Sequence, residues 1–272
     1  MRFRDISYSP VSPSKLDVYH PEDLDQPAPM IVFIHGGSWS SGSKYLYSSF
    51  ANTLREMGYV VIVPDYQKYP LVKADGMYDD IRQAIRWTHK HARKINGDVE
   101  MIYVMCGGTS GRTGHNLRRV YNIAEHLEHE RKRGVDKISA MARAMGSTKS
   151  AFERNSPLEQ IRKHKKVFEL SEDIYDYMPR ILFIHGEEDS IVPYTQSATM
   201  YTVLHEVIPK ERQDDIDMRL PPYKRLGHAE CVTALMPTCF RQNQLAKTLM
   251  RDIKEFIDTP ESEQEDLVND FE

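Results

Sequence analysis

The chain has 272 residues, 40% hydrophobic and 28% charged, a balance that fits a folded water-soluble protein and excludes a disordered one. Lys and Arg number 36 against 40 Asp and Glu, a formal net charge of -4, so a nucleic-acid partner is not expected. The longest apolar runs, such as MIVFI at 30–34, fall far short of the ~20 residues that cross a bilayer. The N-terminal MRFRDISYSP has no apolar block of the secretory type. Three cysteines, Cys106, Cys231 and Cys239, are too few and too odd in number for a disulfide framework. They suit a reducing compartment, so a cytoplasmic location is expected.

No internal repeat or Gly/Ser linker divides the chain. One domain is expected over 1–258, followed by an acidic, mobile tail at 259–272. Ile6 and Tyr8 alternate with polar residues, SPVSPSK reads as a turn, and Leu16, Val18 and Tyr19 mark a second strand. MIVFI at 30–34 is a β-rich run without alternation, which suits a strand covered on both faces. Tyr47, Phe50, Ala51, Leu54 and Met57 recur at helical spacing, and Gly58 ends that helix. YVVIV at 59–63 is the next buried strand, and Met77, Ile81, Ala84, Ile85 and Thr88 mark a helix to about Lys94. Further strands are expected at 101–105, at 181–185 and around Met218 and Leu220. Helices are expected near 195–206 and 242–257. Strands separated by helices predict an α/β architecture with a mostly parallel, doubly covered sheet. Its neighbouring central strands are expected at 31–34, 59–63, 101–105 and 181–185.

In such a sheet, ligands bind at the carboxyl ends of the strands. Three of these ends carry reactive residues. His35-Gly36-Gly37-Ser38-Trp39 follows the first buried strand. Paired glycines let backbone N–H groups approach a ligand, as an oxyanion hole requires, although HGG also reads as a tight turn. Asp189 follows the 181–185 strand and could orient an imidazole, or simply favour a helix N-terminus. His228 follows the last strand. Each is weak alone; their order and placement together are not.

With these blocks in place, the chain resembles the α/β-hydrolase fold, in particular esterases of the HGG-W type. IVFIHGGSW at 31–39, YVVIVPDYQKYP at 59–70, MIYVM at 101–105 and ILFIHGEEDSIVP at 181–193, followed by Gly227-His228, carry the likeness. Among subgroups it is most similar to prenylcysteine methylesterases, with feruloyl-esterase-like and arylformamidase-like enzymes near, and VYNIAEHLEHERKRGVD at 120–136 adds to this. The resemblance covers about residues 15–257. It implies a helical lid at about 134–179, a small-molecule ester substrate and carboxylic-ester hydrolysis of the serine type. No cofactor or metal is implied. It makes His228 the general base, Asp189 the triad acid, and Gly36 and Gly37 the first half of an oxyanion hole. Gln67 stands where the family has Arg, removing either a charge near the cleft or a structural pairing.

The nucleophile departs from the pattern. The family places a Gly-x-Ser-x-Gly elbow after the 101–105 strand. This chain reads Cys106-Gly107-Gly108-Thr109-Ser110-Gly111. Ungapped alignment puts Gly108 at the nucleophile position. A one-residue shift offers Thr109, and a two-residue shift offers Ser110 with Arg112 where glycine belongs. Cys106 is a further candidate, but Val104 and Met105 precede it rather than a Gly-x pair. The segment is also short. If 118–123 is the next strand, 106–117 holds four glycines and no apolar helical stripe. If Leu117, Val120, Tyr121, Ala124 and Leu127 form one helix face, the strand is lost. The elbow therefore reads as truncated, which predicts little or no turnover. The alternative function is an inactive homologue that binds a ligand or a protein partner.

Other signals have plainer readings. His126, His129 and Glu130 could hold a metal on one helix face, but no second half-site is offered, so a solvated charged face is expected. The basic runs Arg131–Arg133 and Lys163–Lys166 are expected to be solvated lid helix rather than a membrane patch. Cys231, Trp39 and Trp87 read as core or pocket wall.

Overall fold

The structure, a computed structural model, describes residues 1–22, 24–107, 116–117, 120–171, 173–175, 178–236 and 244–259. In chain order the elements begin with β1 (Arg2–Ser7), β2 (Lys15–Tyr19), β3 (Ala28–Ile34), α1 (Ser48–Glu56), β4 (Val60–Pro64), α2 (Ala74–His91) and β5 (Gly97–Gly107). Then come β6 (Asn116–Leu117), α3 (Ile123–Lys132), α4 (Met141–Met145), α5 (Lys149–Asn155), α6 (Pro157–Lys163) and α7 (Lys165–Leu170). The chain continues through β7 (Ile181–Ile184), α8 (Thr195–Val207), β8 (Met218–Arg219), α9 (Glu230–Thr233) and α10 (Gln244–Asp258). Among the described residues the strands form one sheet ordered β1-β2-β4-β3-β5-β6-β7-β8. The β1/β2 and β2/β4 pairs are antiparallel, and every later pair is parallel.

The central strands show why continuous apolar runs were needed. Met30, Val32 and Ile34 of β3 and Val60 and Ile62 of β4 pack into one cluster with Met77, Ile81 and Ala84 of α2. The intervening Ile31, Phe33, Val61 and Val63 face the opposite side, against Phe50 and Leu54 of α1 and Leu249, Ile253 and Phe256 of α10. Side chains alternate across a strand, so a strand with helices on both faces must be apolar at every position. A third cluster joins Phe183 of β7, Met200, Val203 and Leu204 of α8, and Leu158 of α6.

One expectation about the strand order is corrected. β7 is not the direct neighbour of β5: the two-residue β6 lies between them, with Asn116 paired to Cys106 on one side and to Phe183 on the other. Of the two alternatives for this segment, neither forms over the described residues: 120–122 make no strand, and no single helix face runs from Val120 to Leu127. The N–H groups of Tyr121 and Asn122 donate to the buried Gln196 side chain of α8 at 2.9 and 2.8 Å, so a side chain takes donors that a strand neighbour would use. The helix begins at Ile123, capped by Asn122, whose side chain accepts from the Glu125 N–H at 3.1 Å.

Candidate active site

β3, β4, β5 and β7 are parallel, so the residues after them emerge at one edge of the sheet. The HGG loop is shaped by Gly37, whose φ of +147° and whose position 2.0 Å (from a notional Cβ) to the Ser41 carbonyl admit no side chain. The Gly37 carbonyl accepts the Ser40 and Ser41 N–H groups and the Ser41 hydroxyl, which closes the turn. Ser38 and Trp39 follow with φ of 49° and 62°, a strained pair of non-glycine residues in left-handed backbone. Trp39 is buried, and its carbonyl accepts the Tyr69 N–H at 2.9 Å, which anchors the strained segment.

His35 is fully buried, with Nδ1 2.9 Å from the Gly36 carbonyl and Nε2 3.0 Å from the Asp65 carboxylate. Burial pushes the Asp65 carboxyl up, but hydrogen bonds from His35 and the Lys44 N–H outweigh it and hold it below its ordinary value. This pair ties the loop after β3 to the loop after β4. Next to it, the Gln67 N–H donates to the buried Asp80 carboxylate of α2 at 2.8 Å. The residue that stands in place of the family's Arg thus lies beside a buried acid, which favours the structural-pairing reading of that position.

After β7, Asp189 is buried and accepts three kinds of donor. Its Oδ1 takes the Ile191 and Val192 N–H groups, each at 2.9 Å. His228 Nδ1 lies 3.0 Å from both carboxylate oxygens, and His185 Nε2 lies 3.5 Å from Oδ2. Burial raises the Asp189 carboxyl, but the hydrogen bonds from His185, His228 and the Val192 N–H dominate and hold it far below the usual carboxylate range. An anionic Asp189 accepts Nδ1–H from His228, so the neutral ring keeps its lone pair on Nε2. The His228 side chain is about one-third exposed, at 32%.

Gly186 sets this juxtaposition. It bridges Tyr223 in parallel fashion, and a Cβ there would lie 1.7 Å from the Leu226 carbonyl oxygen. Only glycine lets the segment carrying Leu226, Gly227 and His228 close onto the Asp189 loop. The sequence reading did not single out Gly186; its place between the 181–185 strand and the acid was the available signal.

His228 opens onto a cleft of about 350 Å³ shared with Gly36, Gly37, Ser38 and Gly107. Leu46, Tyr47, Val232 and Met236 supply its apolar wall. The structure thus brings Asp189, His228, Gly36 and Gly37 to one edge. Ser110, Thr109 and Gly108 lie outside the described residues, as do Cys239 and positions 260–272 of the expected tail. Cys106 is buried in the core, as is Cys231. Trp87 stacks on His91 at 4.4 Å rather than lining this cleft.

The expected solvated face at 126–130 is corrected. His126 and Glu130 are buried, because α3 turns them inward beneath the Asp189 loop, where the His129 Nε2–H donates to the Ser190 carbonyl at 3.0 Å. His126 Nε2 lies 3.6 Å from Glu130, whose Oε1 also accepts the Ser139 hydroxyl at 2.7 Å. Among the described residues, no group of three or more His, Cys, Asp or Glu is arranged to hold a metal.

Comparison with known proteins places this geometry. The BD-FAE family model matches residues 16–204, more than half of the chain, and the chain belongs to that family. It is 24% identical over 237 residues to the probable isoprenylcysteine alpha-carbonyl methylesterase ICME of Oryza sativa subsp. japonica, covering 77% of this chain and 55% of that protein. It is 25% identical to esterase LipC of Mycobacterium tuberculosis, covering 75% of this chain and 55% of that one. The chain spans about half the length of the curated relatives it matches. An inhibited esterase B from Lactobacillus rhamnosis superposes with a TM-score of 0.71 at 16% identity, over 99% of this chain and 90% of that chain. The fold is the α/β-hydrolase fold.

Proposed function

We propose that this chain is a carboxylic-ester hydrolase in which His228 is the general base and Asp189 its orienting acid. The observation that carries the reading is the bond from His228 Nδ1 to a buried Asp189, at the mouth of a cleft floored by Gly36 and Gly37. Ser110 is the candidate nucleophile. Its Oγ would attack the ester carbonyl carbon while His228 Nε2 takes the hydroxyl proton. The same proton then goes to the departing alkoxide, and a water molecule repeats the sequence to release the acid. Backbone N–H groups of the Gly36–Gly37 turn would stabilise the oxyanion. A cleft of about 350 Å³ with Leu46, Val232 and Met236 on its wall suits a small ester with a compact apolar group. The relatives' printed names, a methylesterase and an esterase, support that substrate class.

Turnover is expected to be slow, because Gly108 holds the ungapped nucleophile position and Ser110 lacks the family's second glycine. The same feature favours a second reading, a non-catalytic homologue that keeps the cleft for ligand binding. Only eight residues, 108–115, join the parallel β5 and β6, against at least ~10–12 for a crossover with a helix.

The test measures p-nitrophenyl acetate hydrolysis and fluorophosphonate labelling for the chain and for Ser110→Ala, His228→Ala and Cys106→Ala. Slow hydrolysis lost in both Ser110→Ala and His228→Ala supports the proposal. Activity lost in Cys106→Ala alone would install the thiol instead. A chain that neither hydrolyses nor labels is the non-catalytic homologue.

A further inference from the structure

We propose that the helical segment from the end of α3 through α7 is a peripheral docking surface for an anionic lipid bilayer. Residues 131–170 carry eleven Lys and Arg against four Asp and Glu, a net of +7, while the whole chain carries -4, so the rest of the chain carries -11. This excess runs through one continuous stretch, the end of α3 together with α4–α7. It opposes the repulsion that the acidic remainder would meet at a negative surface.

Much of that charge is uncommitted. Arg131, Lys149, Arg162 and Lys165 pair with acids three or four residues away in sequence. Lys132, Arg133, Lys137, Arg154, Lys163 and Lys166 are exposed and make no ion pair among the described residues. Apolar side chains stand out among these cations. Ile138 is 80% exposed and Leu170 81%, with Val167 at 44%, while neighbouring Phe168 turns inward against the α8 cluster. Exposed aliphatic groups interspersed with unpaired lysines are what an interfacial segment presents: the apolar groups enter the headgroup boundary and the ammonium groups meet lipid phosphates. An RNA would use the charge but would give Ile138 and Leu170 no apolar partner, so the lipid surface is the better match. No helix among the described residues is long and apolar enough to cross a membrane, and the attachment inferred here requires none.

The segment is held to the body of the protein through α3, which packs against α4 and α5 and whose His129 donates to the Ser190 carbonyl.

The test is co-sedimentation of the full chain with vesicles of phosphatidylcholine alone and with about one-third phosphatidylserine. The expected result is binding to the mixed vesicles only, lost on raising salt from about 0.05 to about 0.5 M. Lys163→Gln with Lys166→Gln should weaken partitioning roughly 25-fold, about five-fold per lysine. Leu170→Glu should weaken it further. Leu71→Glu is the control, equally exposed at 82% but outside the segment, and should change nothing. All these side chains are exposed, so the variants keep the fold, which circular dichroism checks. Equal binding to both vesicle types, or to neither, overturns the proposal. So does mixed-vesicle binding that Leu170→Glu leaves intact and a 20-nucleotide RNA displaces, a result that would mark a polyanion surface.

Discussion

His228 donates Nδ1–H into a carboxylate, Asp189, that it approaches at 3.0 Å on both oxygens, and that carboxylate is also gripped by two backbone N–H groups. The acid cannot rotate away from the base without breaking several bonds at once. The ring is fixed in the tautomer that leaves Nε2 able to accept a proton, whatever supplies that proton.

Asp189→Asn tests this fixation. The amide would offer N–H to Nδ1 and force the other tautomer, so any esterase rate should fall by roughly 10⁴. Stability should respond to pH as well. A carboxyl whose folded pKa is depressed contributes stability above its unfolded value of about 3.9 and loses it as pH falls below that. The stability gap between the parent and Asp189→Asn should therefore be full at pH 6 and shrink below about pH 4, as read by urea melts.

His126 should make the fold acid-sensitive in a higher range. Burial pushes this imidazole down to about 4, and the charges of His129, Arg133 and His228 push the same way. Between about pH 6.5 and 4 the unfolded chain binds a proton that the folded chain refuses, so stability falls as pH drops through that window, by up to ~1.4 kcal/mol per pH unit. His126→Gln should flatten this slope. An NMR titration giving His126 an ordinary pKa near 6.5 would overturn the prediction.

Gly186→Ala should separate base from acid. The new methyl would meet the Leu226 carbonyl, backbone that has no rotamer to yield. We expect a loss of about 2–4 kcal/mol in urea melts, from overpacking a backbone contact. The His228 ring signals should also shift as its Asp189 bond lengthens. A variant with unchanged stability and unchanged His228 signals would show that the segment moves freely.

A buried charge cluster on β2 offers a further check. Asp17 of β2 is fully buried, bonded to the buried Lys44 ammonium and to Arg2 at 2.7 Å, while Lys44 also reaches Asp5 at 2.7 Å. Asp17→Leu leaves the buried Lys44 ammonium with the exposed Asp5 in place of two carboxylates and should destabilise by about 3–5 kcal/mol. Adding Lys44→Met should recover most of that loss, because Arg2 is partly solvated and Asp5 is exposed. A double variant no better than Asp17→Leu would contradict this account.

The apolar runs alone place the central strands and the edge at which HGG, Asp189 and His228 gather. Runs such as MIVFI and YVVIV are apolar at every position, and only a strand covered on both faces has use for that pattern. HGG and Asp189 each follow such a strand, His228 follows the short β8, and parallel strands end on the same side. What only the tertiary structure decided rests on contacts between residues far apart in the chain. Gln196 takes the N–H groups of Tyr121 and Asn122, so these residues lead into the cap of α3 rather than into a strand. His126 and Glu130 sit at ordinary surface spacing on α3, yet they are buried, with Ser139 donating to Glu130 from the following segment. The distance from Asp189 to His228 depends on Gly186 meeting Leu226, an approach of two backbone segments that no local pattern encodes. Periodicity reports which face of an element is apolar. It does not report which neighbour will cover that face, and that neighbour decides the site.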